Sequence, residues 1–169
     1  MIVLGVDPGF SITGYAITQK QQSVSVLDCG FLKMSAQHTL SQRVGQFHAL
    51  FTQKIQTYGV THISLETSFL GKNPQTFLKL GFLRGVLYLL ADQHKLTISE
   101  FAPREVKLAV TGFGGASKDQ VASMMLRIFP KLGQYGVTER ADVTDALAVA
   151  LCGIWNNQTA LQKLHAAAR

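Results

Sequence analysis

Acidic residues are scarce in this sequence: ten Asp and Glu stand against sixteen Lys and Arg among 169 residues, and only 15% of the chain is charged. The net charge of +6 and the pI near 9.5 therefore reflect missing acids as much as abundant bases. A basic surface concentrates polyanions and releases counterions from phosphates, so nucleic acid is the first partner class to consider and an acidic membrane surface the second. Cysteine is nearly absent. Cys29 and Cys152 are far apart, with no CxxC or Cys/His spacing, which excludes a disulfide framework and a zinc-finger-like site and fits buried thiols in a reducing cytosol. Long apolar runs are missing too: none reaches the ~18 residues of a membrane span. The apolar start, Met1 to Val6, stops at Asp7 without a basic leader, too short for a signal peptide. The expectation is a soluble, cytoplasmic protein. No Pro-, Ser- or charge-rich stretch separates two blocks, and no repeat is visible, so one domain is expected over residues 1–155 with a C-terminal tail over 156–169.

What is present is enough apolar residue for a core, 47% of the chain, arranged in two periods. Ile2–Val6, Ile12–Thr18 and Val24–Lys33 read as three strands of an antiparallel meander, the first ending in the turn sequence Asp7-Pro8-Gly9. From Leu40 the period becomes helical, with Val44, Phe47, Phe51 and Ile55 on one stripe and Gly59 as a stop signal. Val60–Leu65 is the next strand and Glu66 its end, followed by a loop through Pro74. A long helix from Gln75 to about His94 places Phe77, Leu80, Leu83, Leu87 and Leu90 on one stripe with Lys79 turned away. Gly81 and Gly85 in that helix each cost ~1 kcal/mol relative to Ala, which marks a close approach of another backbone, a symmetric partner among the candidates. Leu96–Glu100 is a fifth strand and Pro103 opens a short helix. The Gly-rich stretch Thr111–Ala116 is expected to be mobile. Ser117–Gln120 has the form of a capping box, starting a helix that carries Val121, Met124, Met125 and Ile128 inward until Pro130. The last helix spans Glu139 to Ile154. The order predicts an α/β protein: a mixed five-stranded sheet flanked by helices.

Four of the ten acids occupy telling positions. Asp7 and Glu66 terminate apolar strands, where ligands of α/β sheets collect. Asp142 and Asp145 lie three apart on a helix, beside its apolar stripe, and two like charges at that spacing repel unless a cation lies between them. Taken singly, each has an ordinary explanation as a turn former, a loop cap or a solvated helix face. Taken together they form a set of hard oxygen donors suited to Mg²⁺ or Mn²⁺, and two such ions would support in-line attack of water on a phosphodiester. Around them runs a basic segment containing Lys72, Lys79, Arg84, Lys95, Arg104, Lys107 and Lys118, opposed only by Asp92, Glu100 and Glu105. Lys107 and Lys118 flank the Gly-rich stretch, within reach of a scissile phosphate, or are ordinary surface lysines. Phe69, three residues after Glu66 in a polar loop, stacks on a base or tucks into the core.

Jointly, these segments resemble the RuvC family of crossover junction endodeoxyribonucleases. The resemblance rests on Val3-Leu4-Gly5-Val6-Asp7-Pro8-Gly9 with Thr13-Gly14-Tyr15, and on Ile63-Ser64-Leu65-Glu66 with Phe69. It continues through Lys79-Leu80-Gly81 with Arg84-Gly85-Val86, Pro103-Arg104-Glu105-Val106-Lys107, Ser117-Lys118-Asp119-Gln120-Val121, and Asp142-Val143-Thr144-Asp145-Ala146-Leu147-Ala148. It implies a ribonuclease H-like fold, a homodimer, paired metal-dependent nicks in two strands of a four-way DNA junction, and cooperation with a branch-migration helicase complex (RuvA and RuvB). Carried over by position, it makes Asp7, Glu66, Asp142 and Asp145 metal ligands, places Lys107 and Lys118 at the scissile phosphate, and gives Phe69 the opening of the junction. Lys72, Lys79, Arg84 and Arg104 are the further candidates for DNA contact. Thr67 and Ser68 depart from the family's pattern in the loop that follows Glu66. Two other classes compete: a phosphotransferase of the actin and sugar-kinase type, whose architecture normally needs two such domains, and a junction-binding protein with structural carboxylates.

Overall fold

The computed structural model describes residues 1–67, 74–135 and 140–167, with side chains placed outside 133–135 and 157–167. Five strands form one sheet in the order β3-β2-β1-β4-β5. The meander β1 (Ile2–Asp7), β2 (Ile12–Lys20) and β3 (Val24–Lys33) is antiparallel, while β4 (His62–Glu66) lies parallel to β1 and β5 (Thr97–Phe101) parallel to β4. This is the mixed sheet the sequence predicts.

Side-chain alternation divides each central strand between two cores. Leu4 and Val6 of β1 and Ile63 and Leu65 of β4 face one side, where helices α1 (Leu40–Tyr58) and α2 (Pro74–Gln93) supply Phe47, Phe51, Ile55, Leu83, Leu87 and Leu90. The opposite face of β1 and β4 belongs to α5 (Ala141–Ala167), flanked by α3 (Pro103–Thr111) and α4 (Lys118–Ile128). Val3 packs there with Ala150 and Ile154. The helix lies so close to the sheet that a Cβ on Gly5 would stand 2.3 Å from the carbonyl of Ala146, and one on Gly14 1.9 Å from that of Asp142. These two glycines let the first turns of α5 settle on the ends of β1 and β2, and that contact positions the site.

Helix boundaries follow local chemistry. Thr39 caps α1 through a reciprocal capping box with Gln42, and Gly59 closes it in the left-handed conformation. Ser117 caps α4 in the same way with Gln120. In α3 the carboxylate of Glu105 accepts a hydrogen bond from the Ala102 amide at 2.6 Å.

Several expectations are corrected. Leu40 is exposed and Val44 only half-buried, so the buried stripe of α1 begins at Phe47. Phe77 of α2 is exposed and Leu80 half-buried, because the helix meets the core only from Leu83 onward. Its outer side carries Leu78, Phe82, Tyr88 and Leu89, all exposed, so α2 is apolar on more than the single stripe expected. Gly81 and Gly85 lie on open surface, and among the described residues nothing lies within 4 Å of a Cβ placed at either, so no described backbone of the same chain approaches them. In α4, Val121 and Met125 are buried, Met124 is half-buried and Ile128 is exposed. Thr111–Ala116 forms a hydrogen-bonded turn: the Thr111 hydroxyl accepts from the Phe113 amide, the Ala116 amide donates to the Phe113 carbonyl, and Ala116 is buried. Helix α5 runs beyond Ile154 to Ala167, since no proline follows to stop it, and most of the expected tail is therefore helical. Among the described residues no helix is long and apolar enough to cross a membrane.

Candidate active site

Parallel pairing of Val6 with Leu65 leaves Asp7 and Glu66 side by side at the ends of β1 and β4. By strand parity both side chains project to the α5 face, as Gly5 and Ser64 do two residues earlier. The hydroxyl of Thr13, fully buried, donates to the Gly9 carbonyl at 2.8 Å and accepts from the Gly9 amide at 3.2 Å, which holds the turn after Asp7 against β2.

A cleft of about 210 Å³ opens at this point. Asp7, Glu66 and Asp145 line it with Lys107 and Lys118, and Pro103, Val106, Val121 and Ala148 form its apolar wall. Lys118 is the first residue of α4 and its ammonium reaches Asp145 at 3.0 Å. Burial, followed by repulsion from Asp145 and Glu66, pushes the Asp7 carboxyl up to about 7, against an opposing pull from Lys118. Glu66 is raised by burial and by Asp145, while Lys118 and Lys107 pull it down. The Lys118 ammonium is held in its charged form by Asp145 first, then by Asp7 and Glu66. The cleft is thus a carboxylate cluster short of positive charge, with two lysines against three acids and one of them, Lys118, bound to Asp145.

Asp142 stands apart from that lining. One turn earlier on α5, it adds the last of the repulsions on Asp7, and its carboxylate is 3.5 Å from the Arg140 guanidinium. Arg140 itself lies over the Phe31 ring at 3.7 Å. The i, i+3 spacing set both aspartates on one helix face, but the seat of α5 on the sheet turns Asp145 into the cleft and leaves Asp142 at its rim. Among the described residues no group of three or more His, Cys, Asp or Glu is arranged to hold a metal ion.

The remaining candidates are scattered. Arg84 is engaged within the chain: its guanidinium donates to the Glu66 carbonyl at 2.7 Å and pairs with Glu100. Its side chain is only 13% exposed because β4 and β5 end beneath it. Lys79 sits over the Phe10 ring at 5.8 Å, and Arg43 approaches the same ring at 4.9 Å. Both line a separate groove of about 450 Å³ with His38 and Phe82. Arg104 is exposed on α3 beside Gly114, outside the cleft. Phe69 and Lys72 lie outside the described residues. Sequence reading missed Arg140, Arg43 and Phe10, and only the short distance of Arg140 from Asp142 in the chain could have signalled any of them.

The family model described as crossover junction endodeoxyribonuclease RuvC matches residues 3–153 of this chain. The chain belongs to the RuvC family. A RuvC of Pelodictyon phaeoclathratiforme is 44% identical over 155 residues, covering 91% of this chain and 80% of that protein. The solved Thermus thermophilus RuvC superposes with a TM-score of 0.82 at 26% identity, covering 95% of this chain and 97% of that one. A second structure, of the T. thermophilus RuvC in complex with a Holliday junction substrate, has the same TM-score at 24% identity and covers 94% and 96%. The five-stranded sheet is thus the RuvC sheet, and RuvC membership makes this chain a crossover junction endodeoxyribonuclease. The phosphotransferase alternative falls, since the family match spans residues 3–153 of the chain.

Proposed function

We propose that this chain resolves four-way DNA junctions by metal-dependent hydrolysis in the Asp7, Glu66 and Asp145 cleft, with Asp142 joining from its rim. The observation that carries the reading is the convergence of the Asp7, Glu66 and Asp145 carboxylates in one cleft with Lys118 bound to Asp145, where burial and neighbouring acids raise Asp7. The donor set fits Mg²⁺ or Mn²⁺: the polar lining offers carboxylate oxygens and two ammonium groups, and no thiolate or imidazole that would favour zinc. Lys118, bound to Asp145, occupies the position of a counter-cation. Two divalent ions there would supply Lewis-acid stabilisation and a more acidic water.

The chain's own residues do the rest. Asp7 and Glu66, fixed by the strand register, keep their carboxylates on a rigid sheet end, so little reorganisation accompanies the reaction. Lys118, given another cation for Asp145, is free to turn its ammonium to a phosphate oxygen, where charge develops in the transition state. Lys107, also in the lining, adds a second positive charge, and the apolar residues Val106, Val121 and Ala148 reduce the local dielectric.

DNA contact by Phe69, Lys72, Lys79 and Arg104 is part of the proposal and is supported by family resemblance. A homodimer is supported by the outer face of α2, where Leu78, Phe82 and Leu89 are exposed beside the open glycines Gly81 and Gly85. Two protomers on a two-fold axis would present one cleft to each of two opposed strands. Cooperation with a branch-migration helicase complex and a cytoplasmic setting complete the reading. The test is a synthetic four-way junction beside linear duplex, with and without Mg²⁺. Cutting restricted to the junction and to Mg²⁺ is expected. Undiminished cutting in a chelator, or by Asp7→Asn, would remove the metal site, and a monomeric mass at micromolar concentration with nicking of one strand would remove the dimer.

A further inference from the structure

Glu66 is the last residue of β4, and its backbone is held on both sides. On one side the next amide, that of Thr67, donates to the Phe101 carbonyl of β5 at 2.8 Å. On the other, the Glu66 carbonyl accepts from Arg84 at 2.7 Å. The same guanidinium is paired with Glu100, also on β5. Arg84 thereby ties α2 to the ends of both strands, from a side chain that is largely buried.

We infer that Arg84 is a positioning residue for Glu66: anchored by Glu100, its guanidinium grips the Glu66 carbonyl and fixes the direction in which that carboxylate leaves the strand end. Two features separate this role from a phosphate contact. The charge of Arg84 is already matched by Glu100, and the groups acting electrostatically on the Glu66 carboxyl are Asp145, Lys118 and Lys107. The planar fork of arginine serves a carbonyl and a carboxylate at once, which a lysine ammonium on a flexible stem does poorly. Partners that orient a ligating residue typically govern metal affinity or activity by about 10- to 100-fold. The strut also springs from α2 between Gly81 and Gly85, so the helix that carries the proposed dimer face supports a catalytic carboxylate.

This inference rests on the reading of Glu66 as a metal-holding residue, and the experiment separates the two. Full-length Glu66→Gln, Arg84→Gln, Arg84→Lys and Glu100→Gln variants are compared for thermal unfolding, for four-way junction affinity in a chelator, and for cleavage rate across a Mg²⁺ titration. Arg84→Gln and Glu100→Gln are expected to cleave about 10- to 100-fold more slowly at limiting Mg²⁺ and to need more Mg²⁺ for half-maximal rate, with junction affinity unchanged. Arg84→Lys should fall with them despite its retained charge. Weaker junction binding by Arg84→Gln together with tighter binding by Glu100→Gln would make Arg84 a phosphate contact and overturn the strut. Parental cleavage by both, with Glu66→Gln inactive, would also overturn it while leaving the site reading intact. Parental cleavage by Glu66→Gln would sink the site reading itself. If Arg84→Gln does not fold, Glu100→Gln decides alone, since it keeps the side-chain volume and removes only the anchoring charge.

Discussion

Two half-buried aspartates on the central strands and their neighbours meet opposite fates. Asp28 of β3 is paired with Lys54 of α1 and accepts from the Tyr15 hydroxyl at 3.4 Å, while Lys54 also lies over the Tyr15 ring at 5.0 Å. Asp7 of β1 is surrounded by Asp145, Glu66 and Asp142, with Lys118 as the opposing charge among its named neighbours. The first arrangement staples α1 to the meander. The second is unfavourable to the isolated protein and makes sense as a place where cations are to arrive. In one fold, charge is matched where it holds structure and left unmatched where the chemistry is proposed to occur.

The sharpest way to break this contrast is Asp7→Asn. Losing a ligand that contributes several kcal/mol to transition-state charge stabilisation predicts a fall in cleavage of about 10³-fold or more. The same substitution is expected to raise the melting temperature of the metal-free protein near neutral pH, because it removes a repelled charge. A variant that lost both activity and stability would mean that Asp7 is structural.

The next effect concerns pH. The Asp7 carboxyl in the folded chain lies at about 7, above the ordinary aspartate value of 3.8, so the folded state holds this proton more tightly than the unfolded state. Its stabilising contribution is therefore fully present below about pH 4 and is lost as pH rises through about 7. The full shift is worth up to about 4 kcal/mol, an upper bound for a coupled site. Denaturant titrations in a chelator should show this decline for the parent, a flatter profile for Asp7→Asn, and recovery of stability on adding Mg²⁺ at pH 8. A parent profile that rises over the same interval would sink the assignment.

At the matched aspartate the prediction is reversed. Lys54→Met strands the Asp28 carboxylate in a half-buried position, with both side chains 20% exposed, and should cost about 1–3 kcal/mol of stability by chemical denaturation. Cleavage at a permissive temperature should not change. The smallest effect is expected at Arg140, whose stacking on Phe31 and long contact with Asp142 are worth no more than about 1 kcal/mol at this exposure. Arg140→Gln should leave stability nearly unchanged and lower the Mg²⁺ needed for half-maximal cleavage, since it frees Asp142. A rise in that requirement would show instead that Arg140 aims Asp142 at the site.

Strand order along the chain, the capping box of α4 and the ends of most elements were legible because each depends on residues a few positions apart, Ser117 with Gln120 or the apolar runs of β1 and β4, whereas the box that Thr39 forms with Gln42 went unread. The outer face of α2 was not legible, because an apolar helix carries no sign of which of its sides meets its own core. Arg84 poses a related ambiguity. A cation in a basic stretch looks the same whether a phosphate or a carboxylate on a neighbouring strand is waiting for it.

The scarcity of acids and their placement at strand ends and one turn apart on a helix are properties of the chain, and with the motif spacing they identify the family and nominate the four carboxylates. Which acids share the cleft is another matter. The 2.3 Å and 1.9 Å approaches that glycine permits at Gly5 and Gly14 set the seat of α5, and that seat puts Asp145 between Asp7 and Lys118 while Asp142 remains with Arg140. Helical periodicity gives the relative angle of two residues on a helix, but only packing against the sheet gives the rotation of the helix as a whole.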